Sequence, residues 1–425
     1  MADLVITGAR IIDPANGLDT SADLYIQDGR IVHIGNGGGF PPGGAEVGRI
    51  IDAKECVVTP GLIDFHVHAY EHVTPLGINL DGRCLSRGVT TAVDAGSAGC
   101  STLNGLRKFI KDQSKCRLYA FLHIASHGLA SAALAGLKDG GEIDSLNQVD
   151  VDGCVTSVRD NRDFVVGIKL RISVAISDNG RNEPEAYRRA LQAAGEAGVP
   201  LMVHHSFSTV PTVRTPGVLS CPGDLRAGDI FTHAFHWHKG CLLDKETGRV
   251  YHDVWEAKRR GVLFDIGHGF GSFAWLEAEA CTKEGFWPDI ISTDLHTASV
   301  DGPAYDLTTV MSKMLHLGMP LNDVIAAVTS KPAAAIGKSQ EIGSLKIGNE
   351  ADITILRLDK CSIELEDTRG ETRTITERIV PVRVFRSGVE YPIQEIVPWP
   401  NSASKEKCQK ACKQYAAYAQ SKQSL

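Results

Sequence analysis

Val57-Val58-Thr59-Pro60-Gly61-Leu62-Ile63-Asp64-Phe65-His66-Val67-His68 is an apolar run that crosses a Pro-Gly step and ends in two imidazoles. Side chains two apart on a strand share a face, so both rings can meet one ion. Imidazole suits zinc and other borderline transition metals. A lone His-x-His is weak evidence, and its weight depends on what the rest of the chain brings to the same place.

Seven further short apolar runs follow: 88–95, 117–125, 164–171, 200–205, 229–235, 261–267 and 289–294. Most are separated by helical patterns, the clearest at 183–197, 272–284 and 304–317. Pro184 and Gly198 punctuate the first of these helices in the expected way. Near-continuous apolar strands alternating with helices indicate a parallel sheet covered on both faces, and eight of them predict an α/β fold built as a (β/α)8 TIM barrel.

Both chain ends lie outside this pattern. Residues 3–36 and 343–395 read as short strands with turns, and each flank is too small for a good core alone. The economical arrangement joins them as one small β-sandwich beside the barrel. The expected domains are therefore 1–57 with 336–399, a barrel over 58–335, and a polar tail over 400–425 that forms a helix or hangs loose.

The chain has 425 residues, 43% of them hydrophobic, and a net charge of −7. This charge argues against nucleic acid and against an anionic membrane surface. No stretch of 18 apolar residues is present. Eleven cysteines without disulfide or Cys-x-x-Cys spacing, and a start that lacks a signal-peptide pattern, fit a reducing cytoplasm. Cys408 and Cys412, one helical turn apart, read as free thiols.

Polar residues fall at the predicted strand ends: His66 and His68, Lys169, His204, His233 and Asp294. In a barrel these ends converge on one face, where active sites are built. Lys169 needs its own account, because an ammonium repels a metal. Burial and nearby cations favour the neutral amine, which reacts with carbon dioxide to give an anionic carbamate. The alternative is a lysine ion-paired at a strand end. For Asp294 the alternative is a helix N-cap. His204 and His205 point to opposite faces, so only one can enter the mouth. His236 and His238 offer a rival His-x-His pair in the following loop.

The stretch PGLIDFHVH resembles the opening strand of the amidohydrolase superfamily. GIKLRIS, PLMVHH, DIFTHAF, FDIGHGFGSF and STDLH resemble its deacetylase group, and Gly343, Leu345, Gly348, Ala351 and Asp352 match a further signature; together these cover about 3–395. The resemblance implies two divalent metal ions, zinc above others. His66 and His68 would hold one and His204 and His233 the other, bridged by N6-carboxylysine at Lys169, with Asp294 on the first. A water shared by the ions would attack a carbonyl while Asp294 takes its proton as the catalytic base. Dihydroorotases carry an arginine two positions beyond the His-x-His pair, and this chain has Tyr70 there. The expected activity is thus deacetylation of a small N-acyl or O-acyl carboxylate. Cyclic-amide hydrolysis of the dihydroorotase or hydantoinase kind is the alternative, and a non-catalytic scaffold the third reading. Arg171 shares the face of Lys169 and is the candidate grip for a substrate carboxylate, or else a salt-bridge partner in the barrel mouth. His268, Tyr70 and His296 are further substrate-binding candidates. The expected partners are a small carboxylate-bearing substrate and other copies of the chain.

Overall fold

The protein is described by a computed structural model covering residues 2–35, 47–131, 141–394 and 402–423. The outermost residues of the flank readings, Asn36 and Glu395, and the two ends of the tail lie outside these ranges.

The amino-terminal strands are β1 (Ala2–Asp13), β2 (Leu18–Gln27), β3 (Arg30–Gly35), β4 (Val47–Asp52) and β5 (Val57–Pro60). The barrel strands are β6 (Leu62–Val67), β7 (Val89–Gly99), β8 (Arg117–His123), β9 (Val165–Ile172), β10 (Leu201–His205), β11 (Ile230–Thr232) and β12 (Leu263–Asp265). The carboxy-terminal strands are β13 (Ile353–Glu366), β14 (Thr372–Arg386) and β15 (Val389–Tyr391).

β6 to β12 form a parallel sheet in sequence order. β9 is buried at all eight positions, as a parallel strand covered on both faces should be. The run 289–294 closes the barrel without a ladder of its own. Asp265 bridges Ile290 on one side and Val67 bridges Leu295 on the other. Gly269 N–H donates to Thr293 O at 2.7 Å and His68 N–H to Leu295 O at 3.0 Å.

The helix Glu183–Ala197 carries Pro184 in its first turn and ends on Gly198, whose φ of 66° suits glycine. The predicted helices at 272–284 and 304–317 are shorter, Trp275–Lys283 and Leu307–His316. Asp306 caps the latter by accepting from Thr309 N–H at 2.8 Å. Residues 206–229, between β10 and β11, form turns and no helix.

The two chain ends build one composite sheet, ordered β15-β14-β13-β5-β1-β2-β3, with β4 also paired to β1. Leu4, Ile6, Ile11, Leu24, Ile31, Ile353 and Phe385 share its core. The first predicted strand is divided between the two sheets. β5 pairs with β1 and β13, and after Gly61 the chain enters the barrel as β6. A Cβ on Gly61 would lie 2.1 Å from Thr90 Oγ1, so only glycine fits this crossing. The β13–β14 hairpin reaches the barrel. Trp275 Nε1 donates to Leu365 O at 3.1 Å, and Asp367 accepts from the Trp275 backbone N–H at 3.0 Å. The tail forms a helix, Ser402–Gln423.

Candidate active site

The carboxyl ends of the barrel strands bring the predicted polar residues together. His66 and His68 leave β6 side by side, and both Nε2 atoms face Asp294 Oδ1, at 3.4 Å and 3.1 Å. Lys169 Nζ lies 3.5 Å from His66 Nε2. The His233 ring is 5.2 Å from that of His66 and 4.3 Å from that of His204. Ligand atoms of His66, His233 and Asp294 all fall within 4.8 Å of one another.

Each of three imidazoles is anchored through Nδ1, which turns its Nε2 toward the cluster. His66 Nδ1 lies 2.9 Å from Thr232 Oγ1, His68 Nδ1 lies 3.0 Å from Ser97 Oγ, and His233 Nδ1 lies 2.7 Å from Gly267 O. Thr232 Oγ1 in turn donates to Asp265 Oδ2 at 2.7 Å, and Ser292 Oγ donates to Asp265 Oδ1 at 2.6 Å. Anchoring of this kind orients a ligating histidine and fixes its tautomer. Asp294 Oδ1 is buried and has no hydrogen-bond partner among the described residues. Converging Nε2 atoms, an orphaned carboxylate oxygen and a buried amine form a donor set that fits divalent metal.

The electrostatics agree. Burial pushes the Lys169 ammonium down to about 7, although Asp294 and Asp265 oppose the shift. Burial also lowers His233 to about 4, so this ring is neutral and free to ligate. Burial opposes ionisation of Asp294, yet His66 and His68 hold its carboxyl well below the usual range. Backbone geometry is tuned to the same end. His233 and Asp294 adopt φ of 70° and 45°, a conformation costing about 1–3 kcal/mol at a non-glycine residue. A Cβ on Gly269 would sit 2.4 Å from Asp294 Oδ2, and one on Gly96 2.6 Å from Lys169 Cβ. Glycine at these points leaves room for the two side chains.

The remaining candidates are dispersed around this centre. Arg171 pairs with His204 in the β9–β10 register, and its Nη1 is 3.2 Å from Glu142 Oε1. His296 is buried, its ring 6.3 Å from that of His68, with Nδ1 accepting from Ala298 N–H at 3.2 Å. His268 stacks on Phe273, and its two ring nitrogens lie 2.8 Å from Lys313 Nζ and 3.0 Å from Gly269 O. Tyr70 Oη donates to Thr102 O at 3.0 Å. His205 turns away from the mouth toward Gly240 O and Val210 O. In the rival pair, His238 Nε2 lies 2.9 Å from Gly271 O, and its ring stacks with His236. Sequence reasoning passed over Thr232 and Ser97, which anchor His66 and His68, and Asp265 and Ser292 behind Thr232. It also passed over Asp64, which accepts from Thr293 Oγ1 at 2.6 Å beneath Asp294. The available signal was a carboxylate inside an apolar strand, in LIDFH and again in LFDIG.

A parallel barrel with this constellation at its strand ends defines a metal-dependent hydrolase. Residues 274–390 match the amidohydrolase family model. A deacetylase of Brucella anthropi is 34% identical over 364 residues, 85% of this chain and 86% of that protein. The crystal structure of an adenine deaminase superposes with a TM-score of 0.80 at 28% identity, covering 92% of this chain and all of the other. That of a dihydroorotase gives 0.78 at 30% identity, covering 94% and 100%. The chain belongs to the amidohydrolase family.

Proposed function

We propose that the protein removes an acetyl or similar small acyl group from an N-acyl or O-acyl carboxylate. The observation that carries this reading is the meeting of His66, His68, His233, Asp294 and Lys169 beside the guanidinium-bearing end of β9. In this reading His66 and His68 would hold one divalent ion and His204 and His233 a second, with a carboxylated Lys169 and Asp294 completing the donor set. Bound there, such ions would supply an acidified water, with a pKa toward ~7, and an electrophile for the acyl carbonyl. Asp294 accepts the attacking water's proton and delivers it to the leaving nitrogen or oxygen. Arg171 grips the substrate carboxylate, while His268, Tyr70 and His296 shape the space around it. The barrel, 58–335, carries the chemistry; 1–57 with 336–399 supports it, and 400–425 is an appended tail.

The similarity to a deacetylase along most of both chains supports deacetylation. Cyclic-amide hydrolysis remains as a second reading because of the 30% identity to a dihydroorotase of solved structure. Against it, Tyr70 occupies the place of that group's arginine, and its hydroxyl is engaged by Thr102. The test is a panel of N-acetyl amino acids, acetylated hydroxy acids, hydantoin and dihydroorotate, each as both stereoisomers where they exist, given to protein reconstituted with zinc and bicarbonate. Turnover of the acetylated acids with two ions per chain is expected. Turnover confined to the cyclic amides would replace the reading.

A further inference from the structure

Three buried polar side chains stand against the candidate metal cluster. His123 ends β8, Arg171 lies near the end of β9, and Glu142 comes from the loop after β8. His123 pairs with Lys169 across the β8–β9 ladder, so the group shares a wall with the cluster. His123 and Glu142 are fully buried and Arg171 is 9% exposed. Glu142 Oε1 lies 3.2 Å from Arg171 Nη1 and 3.8 Å from His123 Nε2. Even so, His123 Nε2, both Glu142 carboxylate oxygens and Arg171 Nε have no hydrogen-bond partner among the described residues. Buried polar atoms are nearly always partnered, and a knot of four unpartnered ones marks a place that a guest completes.

The scaffold keeps these groups from satisfying one another. Ile143 N–H donates to Ile176 O at 3.1 Å, Asn182 Nδ2 to Ile143 O at 2.9 Å, and Asp178 N–H to Asp144 Oδ1 at 2.7 Å. The loop that presents Glu142 is thereby pinned, and its carboxylate is held short of a good fit with Arg171. His123 Nδ1 accepts from Ala125 N–H at 2.9 Å, so the neutral ring carries its proton on Nε2. The group therefore offers two N–H donors, from His123 and Arg171, next to a carboxylate acceptor. Because Glu142 offsets the guanidinium charge, a bare anion gains little here. A ligand that brings both an anionic oxygen and a hydrogen on a neighbouring atom satisfies all three residues.

We propose that His123, Glu142 and Arg171 form a recognition subsite for the amino-acid half of an N-acyl amino acid. The substrate carboxylate accepts from His123 Nε2 and Arg171 Nε, and the amide N–H donates to Glu142. This rests on the hydrolase reading above and makes the enzyme selective for secondary amides over esters.

The test compares kcat/KM of the zinc-reconstituted protein on an N-acetyl amino acid, its N-methylated analogue without the N–H, and the matching N-acetyl amine without the carboxylate. Each omission is expected to cost about tenfold or more. Glu142→Leu, which removes the acceptor, should abolish discrimination against the N-methylated compound while keeping that against the carboxylate-free one. A wild-type protein that turns over all three alike overturns the subsite, as does a Glu142→Leu protein that keeps the full N–H preference. If no acyl compound is turned over, the deacylation reading fails by itself. Calorimetric binding of the same three compounds to the zinc-loaded protein then decides the subsite, with equal affinities overturning it.

Discussion

Asp294 is where the chemistry can be separated from the scaffold. Asp294→Asn keeps the size of the side chain and one oxygen but cannot accept a proton. Metal content measured by elemental analysis should stay near that of wild type while kcat falls by ~100-fold or more. Wild-type turnover by the fully loaded variant would remove Asp294 from the role of base. Lys169→Ala should behave differently, losing metal and activity together, with part of both returning on addition of short carboxylates; a variant that keeps two ions and full activity would exclude the bridge. The residues behind these predictions were legible because their chemistry is conspicuous. Two imidazoles at strand spacing gain their weight from the lysine, histidines and aspartate at the ends of later apolar runs. Thr232, Ser292 and Ser97 were not legible, since a hydroxyl at a strand end acquires meaning only from the ring or carboxylate it faces. Glu142 was further out of reach, because it arrives from a loop whose path no periodicity describes.

Among the elements, the β13–β14 hairpin joins the composite sheet to the barrel. Asp367, near its tip, accepts from the backbone N–H groups of Trp275, Arg369 and Glu371 at 3.0, 2.8 and 2.9 Å. Asp367→Ala would leave these donors without a partner, and a loss of about 2–3 kcal/mol is expected in urea unfolding. An unchanged midpoint would mean that the hairpin tip contributes nothing to the joint. Strand periodicity located both halves of the composite sheet and all eight barrel runs. It could not reveal that Val57–Pro60 and Leu62–Val67 belong to different sheets, because the apolar pattern runs through Pro60-Gly61 unbroken. Nor could it show that 289–294 closes the barrel by single bridges, which depends on the twist of its neighbours.

At the scale of the whole molecule, buried imidazoles set the response to acid. Burial lowers His205, His233 and His296 to about 4 and His238 to about 3. Between about pH 4 and 6.5 these rings are neutral in the folded protein and protonated in the unfolded chain. The unfolded state then binds more protons, so stability falls as pH drops through this window. Asp64 and Asp265, raised by burial to about 7 and about 6, act in the opposite sense. The imidazoles outnumber them, and the urea midpoint of metal-free protein should climb from pH 4 to 6.5. A flat or falling profile would show that the rings are charged within the fold. No helix among the described residues is long and apolar enough to cross a membrane. The composite sheet also imposes an order in time. Thr59 Oγ1 donates to Thr354 O, 295 residues further along the chain. At a synthesis rate of about 5–20 residues per second, β5 waits roughly 15–60 s on the ribosome before its β13 partner exists. Throughout that interval the nascent chain presents an unpaired strand edge joined directly to the first strand of the barrel, which makes it a client for whatever shields emerging chains.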